Sequence, residues 1–200
     1  MNRKTPTQAR ALATRRAILN AAHSLLETHE PEEIGTVQIA ERAGVPVGSI
    51  YRYYANRSDI FRALAQEAME LVDAPLEAML LAGLSVDVLV GQAVGLLLAA
   101  STPADRRLQR YARLSPELSD VWVSSNLRIE MAIADSILAR NPLLDEPTRI
   151  AASRVLMQAI LAGVDAIIQF DDADSRGRLQ GELVKMAAAY VKELLHRGQA

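Results

Sequence analysis

The 200-residue sequence contains no cysteine, and only 4% of its residues are aromatic. The absence of cysteine excludes disulfides and thiolate metal sites, and it agrees with a reducing cytoplasm. The three histidines, His23, His29 and His196, are scattered along the chain, so we expect no metal site. Abundant Ala and Leu, with few aromatic residues to compete, favour helices.

Long hydrophobic runs are also absent. The first 16 residues are polar and basic, without the apolar centre of a signal peptide. The longest apolar run, residues 88–100, is shorter than the ~20 residues that a membrane span requires. We therefore expect a cytoplasmic protein that does not associate with a membrane.

The hydrophobic spacing predicts an all-α fold. Apolar residues recur at intervals of three and four, and no useful length alternates as a strand does. Prolines fall between the periodic stretches, and Thr102 and Asp145 stand where helix N-caps are expected. About nine helices are predicted, at residues 8–29, 36–43, 47–54, 57–73 (kinked or ended by Pro75, with an extension to 84), 86–100, 103–113, 116–140, 146–170 and 174–197.

Charge is unevenly distributed along the chain. Residues 1–62 contain nine Lys or Arg and six Asp or Glu, whereas the remainder contains 13 and 18. Such a basic segment suits a polyanion, although it could equally be a solvated tail. The basic run at residues 106–110 is interpreted as a solvated helix face. Five basic residues precede the first acidic one: Arg3, Lys4, Arg10, Arg15 and Arg16.

Two short helical patterns, at residues 36–54, meet at a glycine. Gly44 lies where the chain must leave the first helix, and a left-handed residue is easiest there. Pro46 begins the second helix, and the small Ala40 allows the two helices to cross closely. This spacing is typical of a helix-turn-helix.

The second short helix is predicted to read DNA. Its inward face, at about 100° per residue, is formed by Val47, Ile50 and Tyr54. Tyr51 and Tyr53 flank that face and can reach phosphates or base edges, while Arg52 can donate to guanine. The alternative is that these side chains lie on the protein surface without binding DNA. Further residues suited to backbone approach or phosphate contact are Thr36, Gly48, Ser49 and Arg57.

The stretch TVQIAERAGVPVGSIYRYYANRSDIFRAL, residues 36–64, resembles the DNA-binding segment of the tetracycline-repressor (TetR) family. The preceding RRAILNAAHSLLETH resembles the first helix of that family, and the likeness covers about residues 12–72. The resemblance implies a three-helix DNA-binding domain at residues 1–73 and a helical effector-binding and dimerisation domain at residues 74–200. It also implies DNA contacts from Thr36, Gln38, Val47, Ser49, Tyr51, Tyr53 and Arg57.

Two apolar stripes in the C-terminal half suit a dimer. They either pack inside the monomer or pair with their symmetry mates as a four-helix bundle. The resemblance favours the homodimer, in which two recognition helices read a palindromic operator in double-stranded DNA. The stripes are Leu156, Ala159, Ile160, Gly163 and Ile167, then Leu179, Leu183, Met186, Ala187, Tyr190 and Leu194.

A ligand pocket is a further expectation. Adaptable methionines and an indole suit an apolar ligand, although ordinary core packing explains the same residues. Asp165 interrupts an apolar stretch, and Arg154, on the same helix face, is its expected partner. The candidate pocket residues are Leu97, Tyr111, Trp122, Asn126, Met131 and Met157.

The sequence thus predicts a DNA-binding transcriptional regulator, a repressor released from its operator by an unknown small molecule. No phosphate-binding glycine loop, metal cluster or Ser/His/Asp arrangement suggests an enzyme, and no cofactor is expected. An activator is one alternative. A helical scaffold whose helix-turn-helix binds a protein partner is another.

Overall fold

The computed structural model describes residues 6–198 and the side chains of residues 8–198. Within these residues the chain forms nine α-helices and no strand, which confirms the predicted all-α fold. Arg3 and Lys4 of the predicted basic arm lie outside the described residues. The helices are α1 (Pro6–Leu26), α2 (Thr36–Ala43), α3 (Val47–Ile50), α4 (Arg57–Leu81), α5 (Val86–Ala99), α6 (Pro103–Leu114), α7 (Ser119–Arg140), α8 (Glu146–Ile167) and α9 (Ala173–His196), with a 3-10 helix at Pro31–Glu33.

Helix α3 is shorter than predicted. It ends at Ile50, and the tyrosines that follow lie in a turn. The N–H of Tyr53 donates to the carbonyl of Ile50 at 2.9 Å, and the N–H of Arg52 donates to that of Ser49 at 3.3 Å. The N–H of Tyr54 also donates to the carbonyl of Ile50, at 3.0 Å, so one bond of α-helical spacing overlaps the bonds that join residues three apart. The recognition segment therefore closes as a tight turn directly after α3.

Helix α4 continues through Pro75 to Leu81, in agreement with the predicted alternative of an extension past that proline. A proline inside a helix removes one N–H and leaves the carbonyl four residues earlier without its donor. That carbonyl belongs to Leu71, which is 74% exposed, so water can bond it. The helix therefore tolerates a residue that the sequence interpretation treated as a kink or an end.

The predicted N-caps at Thr102 and Asp145 are confirmed, but the sequence also predicts a helix start at Ser115-Pro116-Glu117, and that prediction is wrong because residues 116–118 form a turn and α7 begins at Ser119. The Thr102 hydroxyl accepts a hydrogen bond from the N–H of Asp105, and the Asp145 carboxylate accepts one from the N–H of Thr148. Asp172 caps α9 in the same way, through the N–H of Ser175. These backbone donors, helped by the side chains of the same residues, hold the pKa values of Asp145 and Asp172 below their usual range.

One compact unit comprises the residues up to 69 together with Thr102–Val123. Helix α1 packs against α2 and α6, and the core between them is made of fully buried aliphatic side chains and one phenylalanine. Because α6 is distant in sequence, this unit could not be delimited from the N-terminal motif alone. Its largest buried side chains are Ile18, Leu26, Ile34, Ile39, Ile50, Ile60, Phe61, Leu108 and Leu118.

The basic run at residues 106–110 is not the solvated face that the sequence suggested. Arg107 donates to the carbonyls of Leu26 and Glu27 at the end of α1, at 2.8 and 2.9 Å. Both Arg107 and Arg110 pair with Glu30, at 3.1 and 2.5 Å. The Arg110 hydrogen bond, followed by that of Arg107, lowers the pKa of Glu30. These arginines fasten α6 to the C-terminal end of α1.

The other unit comprises Glu70–Ser101 and the residues from 124 onward. Its core lies among α5, α7, α8 and α9, with Val94, Ile137, Ile160 and Leu194 buried in it. Many residues of the two predicted stripes, including Leu156, Leu183 and Ala187, are buried within this chain. These residues therefore pack inside the monomer, which is one of the two alternatives that the sequence left open.

Asp165 is exposed and does not pair with Arg154. Arg154 instead binds Glu130 on α7, Nε to Oε2 at 3.0 Å, and Glu130 is only 8% exposed. A buried carboxylate needs a cationic partner more than an exposed carboxylate does. Arg154 therefore pairs with Glu130 of α7 and not with Asp165 of its own helix.

The contact units do not follow the single boundary expected after residue 73, since residues 102–123 join the N-terminal residues. The division of functions at that boundary stays a prediction. Among the described residues, α8 is long and apolar enough to cross a membrane. It also supplies seven buried residues to the second unit, and a core helix of this kind passes the same test.

A glycine pair tests the packing of α8 on α9. A Cβ at Gly163 would lie 2.5 Å from Cδ1 of the buried Leu183, whereas one at Gly95 in α5 would meet nothing within 4 Å. We expect Gly163→Ala to lower the free energy of unfolding by about 1 kcal/mol or more. Gly95→Ala, the matched control, should raise it by about 0.5–1 kcal/mol. Urea denaturation measures both, and equal effects would contradict the close α8–α9 contact.

Candidate nucleic-acid interface

A left-handed glycine joins α2 to α3. Gly44 has φ +67°, and its N–H donates to the carbonyl of Glu41 at 3.2 Å. The N–H of Val45 then donates back to Ala40 at 3.0 Å, so the carbonyls at the end of α2 are bonded. The turn confirms the position predicted for Gly44, and it sets the direction in which α3 leaves α2.

Two buried side chains hold the recognition segment against the first unit. Ile50 is fully buried and Tyr54 is 5% exposed, and both belong to the core that α1 contributes to. The guanidinium of Arg15 lies 5.9 Å from the Tyr54 ring centroid, within cation–π range. Because the backbone is anchored at Ile50 and Tyr54, the side chains of Tyr51 and Arg52 between them face away from the core.

The residues between these anchors are accessible. Tyr51 is 56% exposed, and Gly48 and Arg52 are exposed too. Val47, Ser49 and Tyr53 are half-buried, with Val47 and Tyr53 resting against the core. The surface therefore offers hydroxyl and guanidinium donors on a short, convex segment, which is the chemistry that phosphates and base edges bind.

Hydrogen bonds connect the start of α2 to this segment. The hydroxyls of Thr36 and Tyr51 lie 3.2 Å apart, although the residues are 15 positions distant. The Oε1 atom of Gln38 accepts a hydrogen bond from the N–H of Gly35 at 2.7 Å, and this bond caps α2. The amide NH2 of Gln38 has no hydrogen-bond partner among the described residues. Thr36, Gln38 and Tyr51 consequently lie in one patch that begins at the N-terminus of α2.

Arg57 is held by backbone. Its Nη1 donates to the carbonyls of Glu32 and Ile34, at 2.9 and 3.4 Å, which fastens the 3-10 helix to the start of α4. The guanidinium is partly exposed and keeps other N–H groups for a phosphate. A single arginine thus both supports the segment before α2 and remains a candidate for the phosphate contact that the sequence predicted.

Residues 18–64 match the model of the bacterial regulatory proteins of the tetR family. The segment that contains α2, α3 and the turn after them is therefore similar to that family. Over 64 residues it is 44% identical to the HTH-type transcriptional repressor LfrR of Mycolicibacterium smegmatis. That alignment covers 32% of this chain and 33% of the repressor, so the likeness spans about a third of the curated relative.

Solved structures extend the likeness in fold to most of the chain. The TetR-like regulator LfrR from Mycobacterium smegmatis, in complex with proflavine, is 24% identical with a TM-score of 0.61, covering 90% of this chain and 95% of that one. A transcriptional regulator from Pseudomonas aeruginosa PAO1 is 13% identical with a TM-score of 0.76, covering 98% and 94%. At these identities the comparison shows the all-helical fold.

The sequence analysis overlooked residues that position the candidate interface. Asn56 caps α4 by accepting from the N–H of Asp59 at 3.0 Å, and Asp59 accepts from the N–H of Ala55 at 3.0 Å. The sequence does contain a signal for this cap, because an Asn followed three residues later by an acidic residue is the pattern of a reciprocal helix cap. Arg42 was also passed over, and it donates to the hydroxyl of Ser24 in α1 at 3.2 Å.

The second unit contains an apolar cavity of about 120 Å³. Three of the six predicted pocket residues, Leu97, Asn126 and Met157, line it. Its wall is aliphatic apart from Asp73, Asn126, Ser136 and Arg140. A volume several times that of one ordered water, with mostly hydrocarbon walls, suits an organic ligand.

The other three predicted pocket residues do not line this cavity. Tyr111 packs edge-to-face on Phe61 in the first unit, with ring centroids 5.6 Å apart. The guanidinium of Arg113 covers Trp122 at 5.5 Å, and Met131 is 59% exposed. The spacing of these residues indicated that they lie on helices but not which side of each helix would line a cavity. Their part in ligand binding stays a prediction.

The α4 cap gives a test of how the interface is positioned. We expect Asn56→Ala to lower the free energy of unfolding by about 1 kcal/mol, since the first turn of α4 loses its side-chain acceptor. Asn20→Ala in α1 is the control, because Asn20 is exposed within a helix and alanine favours helices. Thermal unfolding followed by circular dichroism measures both variants. An unchanged Asn56→Ala protein would contradict the assigned cap.

Proposed function

We propose that this chain is a cytoplasmic transcriptional regulator, most specifically a repressor that leaves its operator when a small molecule binds. The observation that carries the proposal is the accessible segment from Ser49 to Tyr53. It follows a left-handed glycine turn, is anchored by Ile50 and Tyr54, and lies in the region that matches the TetR family.

In this proposal, α3 and the turn after it enter the major groove. Arg52 donates to a guanine, because its guanidinium is exposed and has no intramolecular hydrogen bond or ion pair among the described residues. Tyr51, Tyr53 and Thr36 contact phosphates or base edges with their hydroxyls, and Ser49 bonds a phosphate. Gly48 lets the backbone approach the duplex. Gln38, Val47 and Arg57 complete the contact surface at its edges.

We infer that the protein acts as a homodimer through α8 and α9. Val155 is 59% exposed on α8 and Met186 is 52% exposed on α9. Ala151, Ala162 and Ala166 are exposed on the same side of α8 as Val155, so small side chains line an apolar outer face. Association would cover this surface, and a symmetric pair of short recognition segments would read a palindrome.

The effector is proposed to bind in the apolar cavity of the second unit. The related LfrR was solved with proflavine bound, which supports a small organic ligand here by analogy of fold. Release requires the ligand to favour a conformation in which the two recognition segments no longer match successive grooves. We propose no catalytic role and no cofactor, and an activator would use the same contacts.

DNA contact by Arg52 is tested with an operator selected from random duplexes by the wild-type protein. Arg52→Ala should weaken operator binding by about 1–3 kcal/mol and relax base preference at one position of each half-site. Fluorescence anisotropy at fixed salt measures the affinity. Arg178→Ala, which removes an exposed arginine of α9, should bind as the wild type does.

Equal affinity of the Arg52→Ala and Arg178→Ala proteins would refute the assignment of Arg52. The salt dependence separates DNA binding from the scaffold alternative. Operator affinity should fall linearly with salt concentration on logarithmic axes, with a slope set by the number of phosphates contacted. Failure to select any duplex, together with capture of a protein by the same segment, would favour the scaffold.

The dimer surface is tested by placing a charge on the outer face of α8. We expect Ala162→Glu to be monomeric and to bind the palindromic operator more weakly, because two like carboxylates would meet at the symmetry axis. Analytical ultracentrifugation measures the mass. Leu143→Glu is the control, since Leu143 is 67% exposed in the loop between α7 and α8. A dimeric Ala162→Glu protein would place the interface elsewhere.

A further inference from the structure

The cavity in the second unit follows one face of α7. Asn126, Ile129, Ile133, Ile137 and Arg140 recur at intervals of three or four, and all of them line it. From the first to the last of these residues α7 extends about 21 Å. The wall between Asn126 and Arg140 is hydrocarbon apart from Ser136, whose hydroxyl already donates to the carbonyl of Leu80 at 3.3 Å. The lining residues of α7 therefore place Asn126 and Arg140 at the two ends of a mostly apolar strip.

Arg140 is a cation without a partner in this wall. Its Nη2 atom is buried and has no hydrogen-bond acceptor, and the described residues provide no carboxylate for it. Its place in the last turn of α7 is favoured by the helix dipole, but that interaction gives the buried Nη2 no acceptor. Removing a charged donor from water without supplying an acceptor is unfavourable, so an anion delivered by a ligand would relieve that cost.

The negative group at the other end is already satisfied. Oδ2 of Asp73 accepts from Nη2 of Arg128 at 2.6 Å and from the Ser125 hydroxyl at 2.7 Å. Arg128 also binds Glu70 and Glu77, whose side chains are exposed enough to keep water. The unbalanced charge in the cavity wall is therefore positive.

We propose that the cavity binds an amphipathic organic acid. Its anionic head group accepts hydrogen bonds from Arg140, and its hydrocarbon chain lies along Ile137, Ile133 and Ile129 toward Asn126. This inference rests on the proposed effector site and specifies its ligand class. A guanidinium presents paired N–H groups that match a carboxylate, while the aliphatic walls exclude water from the pair.

Three probes with the same ten-carbon tail and different head groups test the charge: decanoate, decanol and decyltrimethylammonium. Calorimetric titration of the wild-type protein should show decanoate binding at least about tenfold more tightly than decanol. Decyltrimethylammonium should bind more weakly than either, because its cation would meet Arg140. Binding of the cation more tightly than decanoate would overturn the proposal, as would equal binding of decanoate and decanol, or no binding of decanoate.

Variants of Arg140 test the residue. Arg140→Met keeps an apolar stem of similar length and should weaken decanoate binding about tenfold or more while leaving decanol binding unchanged. Arg140→Lys should restore part of the affinity, since the charge returns without the paired geometry. Arg149→Met is the matched control, because the Nε of Arg149 is also buried and unpaired but Arg149 does not line the cavity.

Undiminished decanoate binding by a folded Arg140→Met protein would overturn the proposal. If that variant does not fold, the Arg140→Lys variant and the comparison of head groups with the wild type still decide. Calorimetry is done without DNA, so its outcome is independent of operator binding. Arg140-dependent binding of decanoate that does not release the operator would support this ligand class and refute the proposed release mechanism.

Discussion

The interface depends on the burial of Ile50 and Tyr54 beside a glycine that adopts φ +67°. The glycine turns the chain where α2 ends, and the two buried side chains prevent the following turn from rotating. Tyr51 and Arg52 lie between them and face solvent for that reason. A four-residue helix is too short to be stable alone, so its conformation and direction come from the core beneath it.

Arginine serves two purposes in the first unit. Arg107 and Arg57 bond carbonyls at the ends of neighbouring elements, where guanidinium N–H groups satisfy acceptors that helix ends leave open. Among the described residues the guanidinium of Arg52 has no such partner, and Arg52 is the residue for which we propose a DNA contact. Arginines of the first unit therefore differ in whether backbone carbonyls lie within reach of the guanidinium.

The cavity shows the converse situation. Arg128 and Arg154 each neutralise carboxylates of the second unit, including the buried Asp73 and Glu130. Within the part of the chain that the structure describes, Arg140 has no carboxylate partner, and it lines the apolar cavity. Satisfied pairs contribute to the fold, whereas an unsatisfied donor in a cavity wall indicates the chemistry of a ligand.

Most of the fold was accessible from the sequence. Apolar spacing, the caps at Thr102 and Asp145, and the glycine at position 44 are local signals, because each arises from residues within one helical turn. They predicted the helices, the helix-turn-helix and the exposed position of Tyr51, whereas Tyr53 is half-buried against the core. The local signal at Pro75 left two alternatives open, an end of the helix or an extension past the proline, and the structure shows the extension to Leu81.

The sequence by itself determined which segments are helical and which short stretch has the chemistry to bind DNA. Tertiary structure alone decided that α6 belongs with the N-terminal residues, that Arg154 pairs with Glu130 rather than Asp165, and that Leu97, Asn126 and Met157 adjoin a cavity while Met131 faces solvent. The physical reason is range. Helix formation and capping depend on neighbours a few residues away, whereas pairing of charges and the position of empty space depend on residues brought together from distant parts of the chain.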